Sequence, residues 1–258
     1  MNYAYISKCL GWMAVLLVMG AAGRAQTLPF QPGEKFYYEV RWETVPVARV
    51  SLEVGPFEYV RGEEAFHFVF RARTYPAVEI LFPVDGYIEA FTDRDLTRSL
   101  KLQKDMREGR SQRIFQVDFD WERNIATYTS QRKRKRRIPL PEGTLDMLSI
   151  LYYACSLPLE TGLEVSRPLN SGKKTLLAKA SVVRRETILV DGRLWPAFLI
   201  NPDIREAGGV FAESKAPELT LWISADERRI PLKVVSKVWL GAFIIELTTT
   251  PPESDRLS

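Results

Sequence analysis

A mainly β fold is predicted: an antiparallel, strongly curved sheet or partly open β-barrel wrapped around one central apolar helix. Three observations predict it. Apolar and polar residues alternate with period two through most of the chain, the mark of half-buried strands. The breaks between these runs are short turns, and short connections join antiparallel neighbours, because parallel pairs need crossovers of a dozen or more residues. One segment, 144–157, interrupts the alternation with a run that is apolar almost all round.

The first strand sets Phe36, Tyr38, Val40 and Trp42 on one face. In the second, Ala48, Val50, Leu52 and Val54 oppose Arg49, Ser51 and Glu53. Phe66, Phe68, Phe70 and Ala72 then oppose His67, Val69, Arg71 and Arg73. Similar runs occur near 86–92, 97–104, 112–120, 124–130, 162–169, 175–190, 194–200, 218–224, 231–239 and 242–249. Asp191-Gly192 between two such runs is a two-residue hairpin signal. Arg61-Gly62, Ser171-Gly172 and 225–228 are looser turns. Regular strand–helix alternation is missing, which excludes a doubly wound nucleotide-binding fold.

The helix is expected over Thr144–Leu157, after Pro141-Glu142-Gly143 and before Pro158. Thr144 is placed to cap the first turn, Asp146 suits the positive end of the dipole, and Pro158 stops propagation. A helix apolar on every side must be buried on most of them or lie in a membrane, and this one is too short to span. Enclosure by the curved sheet meets that need.

Residues 1–25 read as a secretory signal peptide. Lys8 supplies the positive n-region, Leu10–Ala22 is apolar, and Gly23-Arg24-Ala25 offers a cleavage site after Ala25. The apolar run is shorter than the roughly 20 residues that cross a bilayer, and no second candidate follows, so the mature chain is not expected to be transmembrane. Cys9 lacks the small-residue context of a lipoprotein cleavage site. The expected destination is the periplasm. Removing the leader from 258 residues leaves 233, read as one β-rich domain over 26–250 with a flexible tail over 251–258. Lys8 and Arg24 leave with it, so 34 basic side chains face 32 acidic ones and the net charge is +2. A charge so small argues against a nucleic-acid partner. Cys155 has no second cysteine to pair with, so stability must come from an ordinary core, in which Cys155 is placed.

The most visible polar segment is Arg132-Lys133-Arg134-Lys135-Arg136-Arg137. It reads as a basic edge strand, since dense Lys and Arg discourage edge-to-edge pairing, or as a contact for an anionic envelope surface. It lacks the interleaved aromatic residues of a base-stacking site. His67 is the single histidine, which rules out a multi-histidine metal centre, and no Gly-x-Ser-x-Gly elbow accompanies it. Asp118, Asp120 and Glu122 alternate along a strand. They could hold a hard cation, but a solvated face is favoured, with Phe119 and Trp121 inward and Arg113 or Arg123 as partners. Asp93 and Asp95 read as a turn. Pro76–Pro83 is an apolar loop: either a lid over the open end of a barrel, or a greasy tip whose Val78, Ile80, Leu81 and Phe82 meet lipid or a partner. No cofactor is implied.

Three blocks resemble the bacterial "domain of unknown function 3108" family. They are Pro32-Gly33-Glu34-Lys35-Phe36-Tyr37-Tyr38, then Asp146-Met147-Leu148-Ser149 with Tyr152-Tyr153, then Leu221–Asp226 through Arg229-Ile230-Pro231. The resemblance implies export and a β-rich domain, and no established activity. It also leads one to expect an Arg near the helix end, where this chain has Ala154-Cys155. A sheet curled round a helix is similar to periplasmic lipoprotein carriers at the level of fold alone.

Three functional readings follow. In the first, a non-catalytic exported envelope protein holds a lipid or other apolar ligand inside the sheet, lined by Trp42, Phe66, Phe68, Leu148, Leu151 and Tyr152. In the second, a structural or interaction module with a solid core meets an envelope protein or an anionic component through the basic run and the Pro76–Pro83 loop. The third is a hydrolase, against which the missing motifs count.

Overall fold

The computed structural model describes residues 28–132, 134–203, 218–238 and 241–250. The predicted leader, the 251–258 tail and Lys133 lie outside them. The first half of the chain forms β1 (Lys35–Trp42), β2 (Val45–Val54), β3 (Glu58–Val60) and β4 (Glu63–Thr74). After the short helix α1 (Pro76–Glu79) come β5 (Val84–Asp93), β6 (Ser99–Glu108), β7 (Ser111–Asp120), β8 (Ile125–Ser130) and β9 (Lys135–Pro139). The second half has β10 (Leu145–Asp146), helix α2 (Ser149–Ser156), β11 (Glu164–Asn170), β12 (Thr175–Val190) and β13 (Arg193–Asp203). It ends with β14 (Glu218–Ser224), β15 (Pro231–Val238) and β16 (Gly241–Thr248).

All these strands belong to one sheet, laid out as two meanders in which each strand pairs with a sequence neighbour. The halves join along β1 and β16, with Tyr37 opposite Thr248 and Trp42 opposite Phe243. Only β10 and β11 run parallel among the described pairs. Strands lie where alternation predicts them, and the basic run supplies the edge strand β9. The Asp191-Gly192 hairpin forms as expected, both residues at positive φ (49° and 71°), the geometry of a tight I′ turn. Register shifts at Val40/Arg41, Phe91/Thr92, Val182/Arg184 and Trp222/Ile223 bend the strands and add to the curl.

The curl brings the two ends of the sheet together without closing it. One edge is β9 and the other is β10. Across the seam, Thr175 Oγ1 donates to the Pro139 carbonyl (3.2 Å) and Arg136 Nη1 to the Lys173 carbonyl (3.4 Å). The core fills the space enclosed: Phe68, Leu102 and Val117 are 0% exposed, and Val54 and Ala90 share that value.

The predicted central helix is corrected. Of 144–157, Leu145–Asp146 is a strand paired with Leu169–Asn170, and only Ser149–Ser156 is helical. At about 1.5 Å per residue, these two turns are too short to serve as the axis of the barrel. Strand side chains fill the core there, joined by Leu148 and Tyr152. Asp146 explains the break. Its carboxylate is wholly buried and accepts hydrogen bonds from Leu148 N (2.9 Å), Ser149 N (3.0 Å), Ser149 Oγ (2.6 Å) and Ser99 Oγ (2.5 Å). Ser99 Oγ in turn accepts from Asp146 N (2.8 Å), so Asp146, in the edge strand β10, is tied to the start of β6 and the helix starts after it. Thr144 does not cap the helix; its hydroxyl donates to the Pro141 carbonyl (2.6 Å). The apolar residues of α2 find cover on two sides. Tyr152 joins the main core, and Cys155 joins a second cluster with Val182, Phe198 and Ile223.

Candidate functional site

The residues predicted to line an internal site mostly pack against one another. Phe68 and Tyr152 stack with ring centroids 3.8 Å apart, Phe66 stacks on Phe68 at 5.7 Å, and Phe30 meets all three edge-on at 5.2–5.7 Å. Leu148 is buried beside them and Leu151 is half-buried. Trp42 stands apart, 45% exposed at the far end of β1. Burial pushes the Tyr152 hydroxyl far above its ordinary range, and that hydroxyl lies 3.4 Å from the Glu53 carbonyl.

The most distinctive surface is the rim formed by successive hairpin ends. Strands β5 to β9 are antiparallel neighbours, so the segment before β5, the β6–β7 turn and the β8–β9 turn come to the same end. Backbone bonds tie them together: Gly109 N donates to the Pro83 carbonyl (2.8 Å), and Gln131 N to the Ile114 carbonyl (3.0 Å). The Pro76–Pro83 segment makes α1 and then an apolar tip, with Ile80 87%, Leu81 85% and Phe82 56% exposed. Ile80, Leu81 and Phe82 line a hollow of about 820 Å³ with Arg107 and Arg110.

Along the same rim stand Arg132, Arg134, Lys135, Arg136 and Arg137, all exposed. Next to them the β11–β12 turn adds Lys173 and Lys174. Arg136, Arg137, Lys173 and Lys174 surround a cleft of about 590 Å³ at the seam, with Ile138, Pro139, Leu176 and Leu177 among its walls. Among the described residues none of these cations is in an ion pair. Gly172 makes the junction compact. Its φ is +95°, and a Cβ there would come within 2.8 Å of the Phe115 ring. Lys173 and Lys174 were not predicted as part of any site; their signal was a basic pair directly after the Ser171-Gly172 turn.

Other candidate groups hold the fold. His67 is buried, stacked on Phe91 at 4.6 Å, and both ring nitrogens lie 3.1 Å from carboxylates, Nδ1 from Glu58 and Nε2 from Glu89. The Nδ1 contact lacks hydrogen-bond alignment. Asp118 accepts from Gln116 Nε2 (2.8 Å), and Asp120 from Arg123 N (3.0 Å) and Nη1 (2.9 Å). Those donors hold the half-buried Asp120 carboxyl below its usual range. Asp118, Asp120 and Glu122 are not gathered, and among the described residues no three His, Cys, Asp or Glu are placed to hold a metal. Asp93 makes the predicted turn, accepting from Thr97 N (2.7 Å) and Arg98 N (3.1 Å). Burial pushes the Cys155 thiol up to about 12, against a lowering influence from Arg229. That arginine, whose guanidinium lies 5.3 Å from the Phe198 ring centre, supplies a cation from the β14–β15 turn in the neighbourhood of Ala154-Cys155.

The three sequence blocks converge. Tyr38 Oη, fully buried, donates to the Pro231 carbonyl (2.9 Å), and its pKa is raised by burial and by the nearby Tyr152 and Cys155. Ser224 Oγ donates to Asp226 Oδ1 (2.6 Å) and accepts from Ile230 N (2.8 Å), which shapes the β14–β15 turn. Gly33 N donates to the Val54 carbonyl (2.7 Å). These blocks secure the joint between the meanders.

The fold and its joint define a class: a barrel-like, mostly antiparallel sheet left open along one seam. Within it, the chain belongs to the family described as protein of unknown function (DUF3108), whose model matches residues 37–248. No curated protein matches the sequence. The β-barrel-like DUF1849 protein of Brucella abortus superposes with a TM-score of 0.52 at 9% identity, covering 83% of this chain and 94% of that one. It shares the fold. An inferred lipoprotein of Parabacteroides distasonis (10% identity, 84% and 94% covered) reaches a TM-score of 0.32. An inferred exported protein with a YmcC-like fold from Bacteroides fragilis (8% identity, 85% and 96% covered) reaches 0.31. Those two scores are too low to establish a common fold. No helix among the described residues is long and apolar enough to cross a membrane.

Proposed function

We propose that this protein is a non-catalytic, exported module of the bacterial envelope that docks on an anionic membrane surface through one rim of its sheet. One observation carries the reading: the apolar tip Ile80-Leu81-Phe82 and the basic run, about 50 residues apart in sequence, stand at the same end of the sheet with the β6–β7 hairpin between them. Each feature alone gives marginal attachment, and two signals together give a stable one. Side chains such as Leu, Ile and Phe each gain about 1.5–3 kcal/mol when taken fully out of water. A Lys or Arg held near an anionic leaflet adds about 1 kcal/mol. Export rests on the leader-like sequence of residues 1–25, and a periplasmic location follows from it. An internal apolar ligand finds less support, because the rings expected to line its site already touch.

The test is flotation of the purified mature protein with vesicles of phosphatidylglycerol or of phosphatidylcholine. The protein is expected to float with the anionic vesicles at low salt and to be released as salt rises. Changing Arg134, Lys135 and Arg136 to Gln is expected to weaken binding by roughly 100-fold (about 1 kcal/mol for each charge), with melting unchanged. Equal flotation with both lipids, or unaltered flotation of a folded triple variant, would overturn the proposal.

A further inference from the structure

We propose that the outer face of β1, β2, β4 and β5 carries a second binding site, for an acidic saccharide: a sugar bearing a carboxylate or a phosphate. This face opposes the core, and its register sets two rows side by side. One is Tyr37, Ser51, Arg71 and Tyr87; the other is Glu39, Arg49, Arg73 and Asp85. With neighbouring residues they line a groove of about 1060 Å³, at the upper end of the usual range for small-ligand sites.

Arg49 and Arg73 are directly opposite in an antiparallel ladder, where like charges repel. Arg71 sits diagonally to Arg49, so three arginines line one groove. None of the three is in an ion pair among the described residues. Two are pre-positioned. Arg49 lies over the Tyr75 ring (5.0 Å) and donates from Nε to Tyr75 Oη (3.1 Å), which leaves its paired Nη groups for another acceptor. Arg71 lies over the Tyr87 ring at 4.5 Å. A fork of this kind matches the two oxygens of a carboxylate or phosphate. Glu39 and Asp85 at the ends of the second row suit hydroxyl donors, and small Ser51 between the arginines leaves room for a ring. An anion with a hydroxylated body satisfies both sets of groups; a bare anion satisfies only the first.

Calorimetric titration of the purified mature protein tests this with four probes: trigalacturonate, glucose 6-phosphate, neutral maltotriose and inorganic phosphate. The two acidic sugars separate a carboxylate ligand from a phosphate one. At least one of them is expected to bind tenfold or more tightly than maltotriose or inorganic phosphate. Arg73→Gln is expected to lower that affinity at least tenfold while the melting temperature stays within about 3 °C, because the like-charge pair with Arg49 and the opposite-charge pair with Asp85 are lost together. If Arg73→Gln melts lower than that, Arg71→Gln takes its place. The Arg134/Lys135/Arg136→Gln variant is expected to bind unchanged, which separates this site from the rim. Failure of both acidic sugars to bind at millimolar concentration, equal binding of a neutral or inorganic probe, or full affinity in the arginine variant would overturn it.

Discussion

Replacing Asp146 tests whether a buried carboxylate, rather than an apolar helix, anchors the second half of the sheet. In Asp146→Ala, Leu148 N and Ser149 N lose their acceptor in a wholly buried place, while the Ser99 and Ser149 hydroxyls can rotate toward other oxygens. A buried donor left unpaired costs about 1–3 kcal/mol, so the two amides together predict a loss of about 2–6 kcal/mol. That is a large share of the roughly 5–15 kcal/mol by which domains are stable. Asp146→Asn keeps an oxygen where Oδ1 accepts from both amides and should cost about 1 kcal/mol or less. Urea denaturation, with slopes compared to verify that the same surface unfolds, measures both. An alanine variant within about 1 kcal/mol of the parent, or an asparagine variant as unstable as alanine, would refute the reasoning.

The pH dependence of the same group has a definite sign. Burial raises the Asp146 carboxyl above its ordinary range, with the hydroxyl and amide donors opposing, so the folded state binds its proton more tightly than the unfolded chain. Stability from this group therefore falls as pH rises through the folded pKa and is recovered on acidification toward the ordinary carboxylate range. The parent should gain on Asp146→Asn as pH falls toward the ordinary carboxylate range in parallel urea titrations. Gly172→Ala should lose about 1–3 kcal/mol, because the added methyl meets Phe115 at a positive φ, and thermal melting reads the loss. Tyr38→Phe should cost about 1–3 kcal/mol by leaving the buried Pro231 carbonyl without its donor, again read by denaturation. Cys155, buried and with its thiol pushed up to about 12, should resist iodoacetamide at pH 8 in the folded protein and react once urea unfolds it.

Strands were legible because alternation is a local property: Val50, Leu52 and Val54 point inward whatever their partners. The helix was not, because ten apolar residues between 145 and 157 report burial without reporting shape. What decided the shape was Ser99, 47 residues upstream of Asp146, and no local pattern joins the two. For the rim, the sequence offered both ingredients separately. The basic run and the Pro76–Pro83 tip each stood out, yet their adjacency depends on the β5-to-β9 register, and Lys173-Lys174 joins them only through the curl of the sheet. The Arg49–Arg73 opposition was invisible for the same reason, since cross-strand partners cannot be paired before register is known.

The joint between the meanders has a consequence for how the chain can be divided. A nick in Pro141–Gly143 would sever no ladder, because every strand up to β9 finds its neighbours before that turn, and every strand after it, apart from β16 against β1, finds them behind it. Strands β1–β9 and β10–β16 thus form two ribbons, each with its own ladder, that should reassociate as separate polypeptides, zipped by β1 and β16, latched by Ser99 on Asp146 and joined by a shared core. During synthesis the leading ribbon has all of its strand partners but β16 in hand before the trailing one emerges, while its core still awaits Tyr152 and its Ser99 awaits Asp146.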